Sequence, residues 1–318
     1  RITYFAHNVI DDISFLSGHL NLTDNPMLID CINLVIRIHA RLIARLSDRM
    51  VVLDEALERR LNRLLSPLAQ QKVVFIPMPI ARRNSRYTKT RAKELLGIPS
   101  HTKVLLSFGF ISSYKGTDWL INAFNAAGAK TRGLKLIIAG GPAHSLKDRS
   151  RYQQYYETVE KRAAENTDIL ITGYVPENKI SLYFQAADLV VLPYRGIMGA
   201  SGAFSHALAY RKPTVLSNTM KELTANKDFQ NGLKRARVHM STVFFPMDIH
   251  GMIQILNTVK SAKKLCRLAR FTSLLTKARD IVKLTMSTYN ELYRQTLQHV
   301  STEQSFQIIR SFLGLSSS

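Results

Sequence analysis

Short apolar segments alternate with amphipathic segments along most of this chain, and this alternation constrains the fold more than any other feature. Apolar runs such as KVLLSFG (103–109), LKLIIAG (134–140) and DLVVLPY (188–194) are each followed by residues with a helical period. Strands that alternate with helices in this way form parallel sheets, because each return to the same sheet requires a crossover helix. The sequence therefore predicts an α/β fold with doubly wound parallel sheets.

A proline-containing, basic stretch divides the alternation into two units. Pro77 and Pro79 close the last predicted strand of the first unit, and a new strand begins at Lys103. A chain of 318 residues is long enough for two lobes. We expect one unit in residues 1–80 and a second in residues 81–285, with residues 286–318 holding the end of a long helix and a tail.

The chain is strongly basic, with a formal net charge of +21. Each third of the sequence is net positive, and local clusters lie at Arg82–Lys93 and Lys260–Arg270. Such clusters are either solvated basic faces or sites of attraction to an anionic membrane surface. A nucleic-acid-binding protein is a third possibility, but no basic stretch is interleaved with aromatic residues. We expect no specific nucleic acid partner.

The two cysteines, Cys31 and Cys266, are far apart in sequence and form no disulfide framework. We interpret them as core thiols in a reducing compartment. No uninterrupted apolar run reaches the roughly 18 residues needed to cross a membrane. These observations predict a cytoplasmic protein, and the basic clusters allow peripheral contact with the inner face of the membrane.

Loops at the carboxyl ends of the predicted strands carry the candidate chemistry, because parallel sheets bind ligands at that edge. After the strand ending at Gly109, the chain reaches Lys115–Gly116 just before a helix. Glycine permits a tight turn, and lysine supplies a point charge for a phosphate. The same pair is also compatible with an ordinary loop and a solvent-exposed lysine.

Three further loops share this position. One contains Gly140 and Gly141, a second passes through Gly173 and Val175, and the third places small residues at a helix start in GASG (199–202). Helix starts offer unpaired N–H groups and a positive dipole end, which suit phosphate. The sequence contains no GxGxxG, Walker, CxxC or HExxH motif. We therefore predict a phosphate-binding cleft without a metal site.

In their order, four segments resemble the donor-binding half of the retaining GT-B glycosyltransferases of family 4, the group 1 glycosyltransferases. They are FGFISSYKGTDWLINAF, LIIAGG, ITGYVPENKISLYFQAADLVVLPY and SGAFSHALAYRKPTVLSN. The resemblance implies a GT-B fold with two Rossmann-like domains. Residues 1–80 would be the C-terminal part of an incomplete N-terminal, acceptor-binding domain, and residues 81–285 the donor-binding domain.

The resemblance also implies roles for individual residues. Lys115 would grip the diphosphate of a UDP- or GDP-linked sugar and stabilise the charge on the leaving nucleotide, without a metal or other cofactor. Amides around Ser201 and Gly202 would hold the same diphosphate, and the backbone of Val175 would contact the base. His7, in the HNV segment, would border the donor sugar and the acceptor, a glycan or lipid-linked glycan. The implied donor site also includes Gly109, Gly116, Arg195 and His206.

The chain departs from the family pattern at two places. The family often has an arginine shortly before the lysine, where this chain has Phe110, Ser112 and Ser113, and Arg195 is a candidate substitute. The family's Glu-x7-Glu pair falls here on Met198 and His206. Two hypotheses follow: a retaining glycosyltransferase, or a catalytically degenerate binding protein on the same scaffold.

Overall fold

The computed structural model describes residues 2–14, 25–76, 85–143, 146, 148–196, 199–260 and 262–275. Within these ranges the strands form two separate parallel sheets, one for each unit expected from the sequence. The predicted boundary between residues 80 and 81, the position of Met198 and the predicted segment 286–318 lie outside the described residues.

The first sheet contains three parallel strands in the order β1-β2-β3. Its strands and helices are β1 (Thr3–Ala6), α1 (Pro26–Leu46), β2 (Arg49–Val52), α2 (Glu55–Leu64), α3 (Pro67–Gln70) and β3 (Val73–Phe75). The side chain of Asn25 accepts a hydrogen bond from the amide of Leu28 and so caps α1. Asp54 caps α2 in the same way, through the amide of Ala56.

The second sheet contains six parallel strands among the described residues. They are β4 (Lys103–Phe108), β5 (Leu134–Ala139), β6 (Ile169–Ile171), β7 (Leu189–Leu192), β8 (Thr214–Ser217) and β9 (Phe244–Phe245). The strand order is β6-β5-β4-β7-β8-β9. The chain therefore builds outward from β4 in one direction and then returns to build outward from β7 in the other. The point between β4 and β7 is where open α/β sheets bind their ligands.

Helices connect these strands. They are α4 (Lys89–Leu95), α5 (Thr117–Ala126), α6 (Ser150–Ala164), α7 (Glu177–Ala186), α8 (Gly202–Ala209), α9 (Lys227–Ala236), α10 (Met240–Val243), α11 (Ile249–Lys260) and α12 (Lys263–Leu275). Among the described residues of this unit, three 3₁₀ segments also lie in the connections, at Ser113–Lys115, Gly128–Thr131 and Asn218–Ala225. The first of them carries Lys115 directly into the start of α5.

The larger core lies on the central strands of the second sheet. Leu105, Leu106 and Ile137 are fully buried in β4 and β5, and Phe124 and Phe184 are fully buried on α5 and α7. Strands buried on both faces read as continuous apolar runs, which is why they were visible in the sequence. The core fixes β4 and β7, and with them the loops at their carboxyl ends.

The interpretation of the two cysteines as core thiols is wrong, because both Cys31 and Cys266 are exposed. Cys31 lies two and a half turns from Ala40 on α1, so it is on the opposite side of the helix from that buried residue. On α12, Cys266 follows the buried Leu265 and faces away from the core.

Candidate functional site

A cavity of about 390 Å³ opens at the carboxyl ends of β4 and β7. Its volume is in the range of small-molecule binding sites. Residues from both units line it: Asn8, Phe108, Gly109, Phe110, Tyr114, Lys115, Ala139, Gly140, Gly141, Tyr174, Val175, Tyr194, Gly199, Ala200, Ser201, Gly202, Ala203 and His206. All four loops selected from the sequence contribute to this lining.

Lys115 is the one lysine or arginine among the described residues that line the cavity. Its Nζ lies 5.9 Å from the ring centre of Tyr114 and 6.0 Å from that of Tyr194. Burial lowers the pKa of Lys115 to about 8. Among the described residues no carboxylate forms an ion pair with this lysine. Its charge is therefore available to an anionic ligand.

The amine of Lys115 lies directly above Gly109. A side chain at position 109 would place its Cβ 2.6 Å from the Nζ atom, and the backbone there has φ +113°. Because position 109 is a glycine, the amine of Lys115 can lie against the backbone at the end of β4. This geometry brings together Lys115 and Gly109, two of the residues predicted from the sequence.

The start of α8 forms a second part of the lining. The Ser201 hydroxyl accepts a hydrogen bond from the Phe204 amide and caps the helix. The amides of Gly202 and Ala203 precede the first intrahelical bond, so they are available to a ligand in the cavity. This wall therefore has the donors and the dipole direction that bind an anion.

The third side of the cavity is more apolar. Val175 is buried and Tyr174 is 65% exposed beside it. The ring of His206 packs near Phe108, at 5.5 Å between centroids, and near Phe184, at 5.8 Å. His206 therefore lines the cavity as a member of an aromatic cluster.

Three predicted site residues do not line the cavity. Arg195 forms an ion pair with Asp118 on α5 at 2.6 Å. Gly116 lies behind Lys115, where its Cα approaches the carbonyl of Pro193. His7 is exposed beside the opening, next to Asn8.

Three residues of the lining, Asn8, Tyr114 and Tyr194, were not predicted from the sequence. Asn8 forms a β-bridge with Gly199 and so brings the first unit to the edge of the cavity. Its only sequence signal was its position beside His7 in the HNV segment. Tyr114 and Tyr194 flank the lysine. Tyr114 precedes it directly, while Tyr194 ends the β7 run, and neither position shows in sequence that the two rings meet.

The described residues contain neither a cluster of metal ligands nor a candidate membrane span. No group of three or more histidine, cysteine, aspartate or glutamate side chains is placed to hold a metal ion there. Nor does any helix in the described ranges combine the length and apolar character needed to cross a bilayer.

Residues 102–238 match the sequence-family model described as Glycosyl transferases group 1. This segment contains every cavity residue except Asn8. The match covers the whole of the lysine loop and the start of α8, and it ends two residues after the end of α9.

Curated relatives match over a similar segment. A D-inositol 3-phosphate glycosyltransferase of Corynebacterium glutamicum is 34% identical over 114 residues, which is 35% of this chain and 26% of the relative. A lipopolysaccharide 1,2-N-acetylglucosaminetransferase of Salmonella typhimurium is 28% identical over 109 residues, 34% of this chain and 28% of the relative. The match thus spans about a quarter of the length of these relatives.

Solved structures match over almost the whole chain at low identity. Sucrose-phosphate synthase from Thermosynechococcus elongatus superposes with a TM-score of 0.66 and 17% identity, covering 92% of this chain and 68% of that one. Anabaena HepE, solved in complex with UDP and glucose, gives a TM-score of 0.64 and 16% identity, covering 92% and 71%. These structural matches confirm the predicted GT-B fold with Rossmann-like domains. The transferase activity stays a prediction, which the similarity to glycosyltransferases supports. The family number and the retaining mechanism stay predictions.

Proposed function

We propose that this protein transfers a sugar from a nucleotide-sugar donor to a glycan or glycolipid acceptor, with retention of configuration. The observation that carries the proposal is Lys115, a largely buried lysine without a carboxylate partner among the described residues, in the cavity at the β4–β7 switch point. The family match over residues 102–238 supports a nucleotide-sugar donor.

In this proposal the donor's diphosphate lies between Lys115 and the start of α8. Lys115 and the residues Ser201 and Gly202 at the start of α8 all line the cavity. When the bond between sugar and diphosphate breaks, negative charge grows on the leaving phosphate. Fixed donors and charges aimed at that position lower the barrier, because they need no rearrangement as the charge develops. Lys115 therefore acts as the main electrostatic catalyst.

The base and ribose then occupy the apolar side, near Tyr174, Val175 and His206. We favour a uridine nucleotide over a guanosine nucleotide, since HepE was solved in complex with UDP. His206 offers the ribose an imidazole ring in place of a carboxylate. In this proposal Gly109 is part of the donor site, whereas Gly116 has a structural role.

The acceptor approaches from the side of His7 and Asn8. His7 is exposed at the cavity opening, where the first unit meets Gly199. A lipid-linked acceptor would bring the protein to the cytoplasmic face of a membrane, and the basic residues of Lys260–Arg270 would favour anionic lipid there.

Calorimetric titration with UDP and with GDP tests the donor site. We expect UDP to bind to the wild type more tightly than GDP in moderate salt. Lys115→Ala should weaken that binding by about 10- to 100-fold, because a hydrogen bond to a charged group contributes about 1.5–3 kcal/mol. Lys264→Ala removes an exposed positive charge on α12 and should leave the affinity unchanged. Equal affinity in the wild type and Lys115→Ala would refute the assigned role of the lysine.

A binding protein without turnover is the second candidate. It is favoured by His206, which sits in an aromatic cluster where the resembled family often has a glutamate. The two candidates separate when UDP-glucose is incubated with the protein and a glycan acceptor mixture, and released UDP is measured. Nucleotide binding without UDP release above the background of Lys115→Ala would favour the binding protein.

A further inference from the structure

Arg195, three residues after the end of β7, binds the turn that carries Lys115. The backbone amide of Arg195 donates to the carbonyl of Tyr114 at 2.6 Å. Its guanidinium Nη1 donates to the carbonyl of Ser113. Two successive carbonyls of the 3₁₀ turn Ser113–Lys115 are thus bound by the same arginine. The turn can shift only if these bonds break.

The guanidinium is itself fixed by Asp118 in the first turn of α5. Nη1 donates to Oδ1 at 2.9 Å and Nη2 donates to Oδ2 at 2.6 Å, a two-point ion pair with defined orientation. Tyr155 donates its hydroxyl to Oδ1 of the same carboxylate at 3.0 Å. Burial would raise the pKa of Asp118, but the hydrogen bonds and charge of Arg195 outweigh it and lower that pKa. The carboxylate is therefore ionised and committed to the arginine.

We propose that Arg195 and Asp118 are positioning residues that hold the Lys115 turn against the cavity, and that neither contacts the donor. Both terminal nitrogens of Arg195 are engaged by Asp118 and Ser113, and Arg195 is absent from the cavity lining. The bonds of Arg195 to Asp118 and to the Ser113–Lys115 turn connect the loop after β7 to the loop after β4. These two loops flank the point between β4 and β7. This inference rests on the proposed function, in which Lys115 binds the diphosphate.

A first experiment needs no nucleotide. The reaction of Lys115 with acetic anhydride, followed by mass spectrometry over pH 6–11, reports the titration midpoint of its amine. The rings of Tyr114 and Tyr194 lie about 6 Å from that amine, His206 lines the same cavity, and Asp118 and Arg195 are bonded on the other side of the turn. We expect a midpoint near 8 in the wild type.

The variants in this experiment are Arg195→Gln, Asp118→Asn and Arg195→Lys. Arg195→Gln and Asp118→Asn should raise the midpoint by at least about one pH unit, toward the value of an exposed lysine, because the released turn lets the amine reach water. Arg195→Lys keeps the positive charge but loses the two-point geometry, so its titration midpoint should lie between those of the wild type and Arg195→Gln. Unchanged midpoints in folded Arg195→Gln and Asp118→Asn would overturn the inference, whether or not the protein binds a nucleotide.

A second experiment separates positioning from direct phosphate contact. UDP affinity is measured for Lys115→Ala, Arg195→Gln, Asp118→Asn and the double variant Lys115→Ala/Arg195→Gln. We expect at least a fivefold loss in Asp118→Asn, and no further loss when Arg195→Gln is added to Lys115→Ala. An additive loss, or tighter binding in Asp118→Asn, would instead make Arg195 a phosphate ligand and overturn the inference while leaving the proposed function standing. Equal affinity in Lys115→Ala and the wild type would count against the proposed function.

Discussion

At the scale of single residues, the titration of Lys115 predicts how the proposed nucleotide binding depends on pH. Its pKa is lowered to about 8 by burial, so above pH 8 the empty site loses its positive charge. A diphosphate binds the protonated amine better and raises its pKa. Affinity for UDP should therefore fall as pH rises through 8, by up to tenfold for each further unit.

Calorimetry between pH 7 and pH 9.5 checks this expectation. Lys115→Ala is the control, and its weaker affinity should stay nearly flat over the range because the titrating amine is gone. A wild-type affinity that is constant up to pH 9.5 would contradict the lowered pKa.

Substitution by alanine should lower the free energy of unfolding by different amounts at Gly116 and at Gly97. Both have φ +66°, a backbone conformation that costs an alanine about 1–2 kcal/mol. At Gly97 an added Cβ meets nothing within 4 Å, but at Gly116 it would lie 1.9 Å from the carbonyl oxygen of Pro193. Gly116→Ala should therefore lower the free energy of unfolding by about 1–3 kcal/mol more than Gly97→Ala. Urea unfolding of both variants measures the difference, and equal losses would show that the close approach to Pro193 carries no cost.

At the scale of secondary-structure elements, Asp188 joins the start of β7 to α4 and β4. Its carboxylate accepts a hydrogen bond from the Val104 amide at 2.9 Å and pairs with Lys89 at 2.5 Å and with the buried Lys93 at 3.1 Å. The site lies at the end of the sheet opposite the cavity. Its charges therefore serve to hold the elements together and do not belong to the ligand site.

Asp188→Asn should lower the free energy of unfolding by about 3–5 kcal/mol, since it leaves the ammonium of Lys93 buried without a counter-charge. Glu94→Gln is a matched control because Glu94 pairs with Arg91 at 2.8 Å while both side chains are more than half exposed. That change should stay within about 0.5 kcal/mol. Chemical denaturation measures both, and similar small losses would mean that Lys93 finds sufficient partners in the carbonyls of Ser100 and Thr102.

The elements that the sequence predicted are those with a period and a clear stop. KVLLSFG became β4, and the helix after Gly116 became α5, because a buried strand and an amphipathic helix each leave a repeating pattern. The two-residue strand β9 (Phe244–Phe245) is too short to show a period, and the 3₁₀ segment Asn218–Ala225 has none. Both were missed in the sequence, as were α9 and α11.

In the candidate site, too, some features could be predicted from the sequence and others could not. Lys115 and the start of α8 were predictable, since strand ends of one parallel sheet meet at one edge. The direction of Arg195 was not, because it is decided by Asp118, which lies 77 positions away in sequence. The environment of His206 likewise depends on rings from other elements. The sequence therefore predicts which loops lie together at the edge of the sheet. Contacts between side chains from distant loops can be identified only in the structure.

At the scale of the whole molecule, the two units meet beside the cavity through polar contacts. Arg60 on α2 is buried and bonds to Glu222 in the second unit at 2.8 Å, as well as to the carbonyl of Val9 at 3.3 Å. The carboxylate of Glu55 accepts from the amide of Lys227 at 3.0 Å. Because Asn8 and the cavity lie at the same junction, the position of the first unit affects the shape of the site.

Arg60 therefore predicts a link between domain contact and ligand affinity. Arg60→Ala should lower the free energy of unfolding by about 1–3 kcal/mol, because it leaves Glu222 and the Val9 carbonyl without this donor. It should also weaken UDP binding, although Arg60 does not line the cavity, since the contact that brings Asn8 to Gly199 is loosened. Arg63→Ala is the matched control: Arg63 lies on the same helix and pairs with Asp11 but is 57% exposed. Calorimetric unfolding measures the stability of the two variants, and titration with UDP measures their affinity. If both variants bound UDP as the wild type does, the first unit would contribute contact area to the fold but no shape to the donor site.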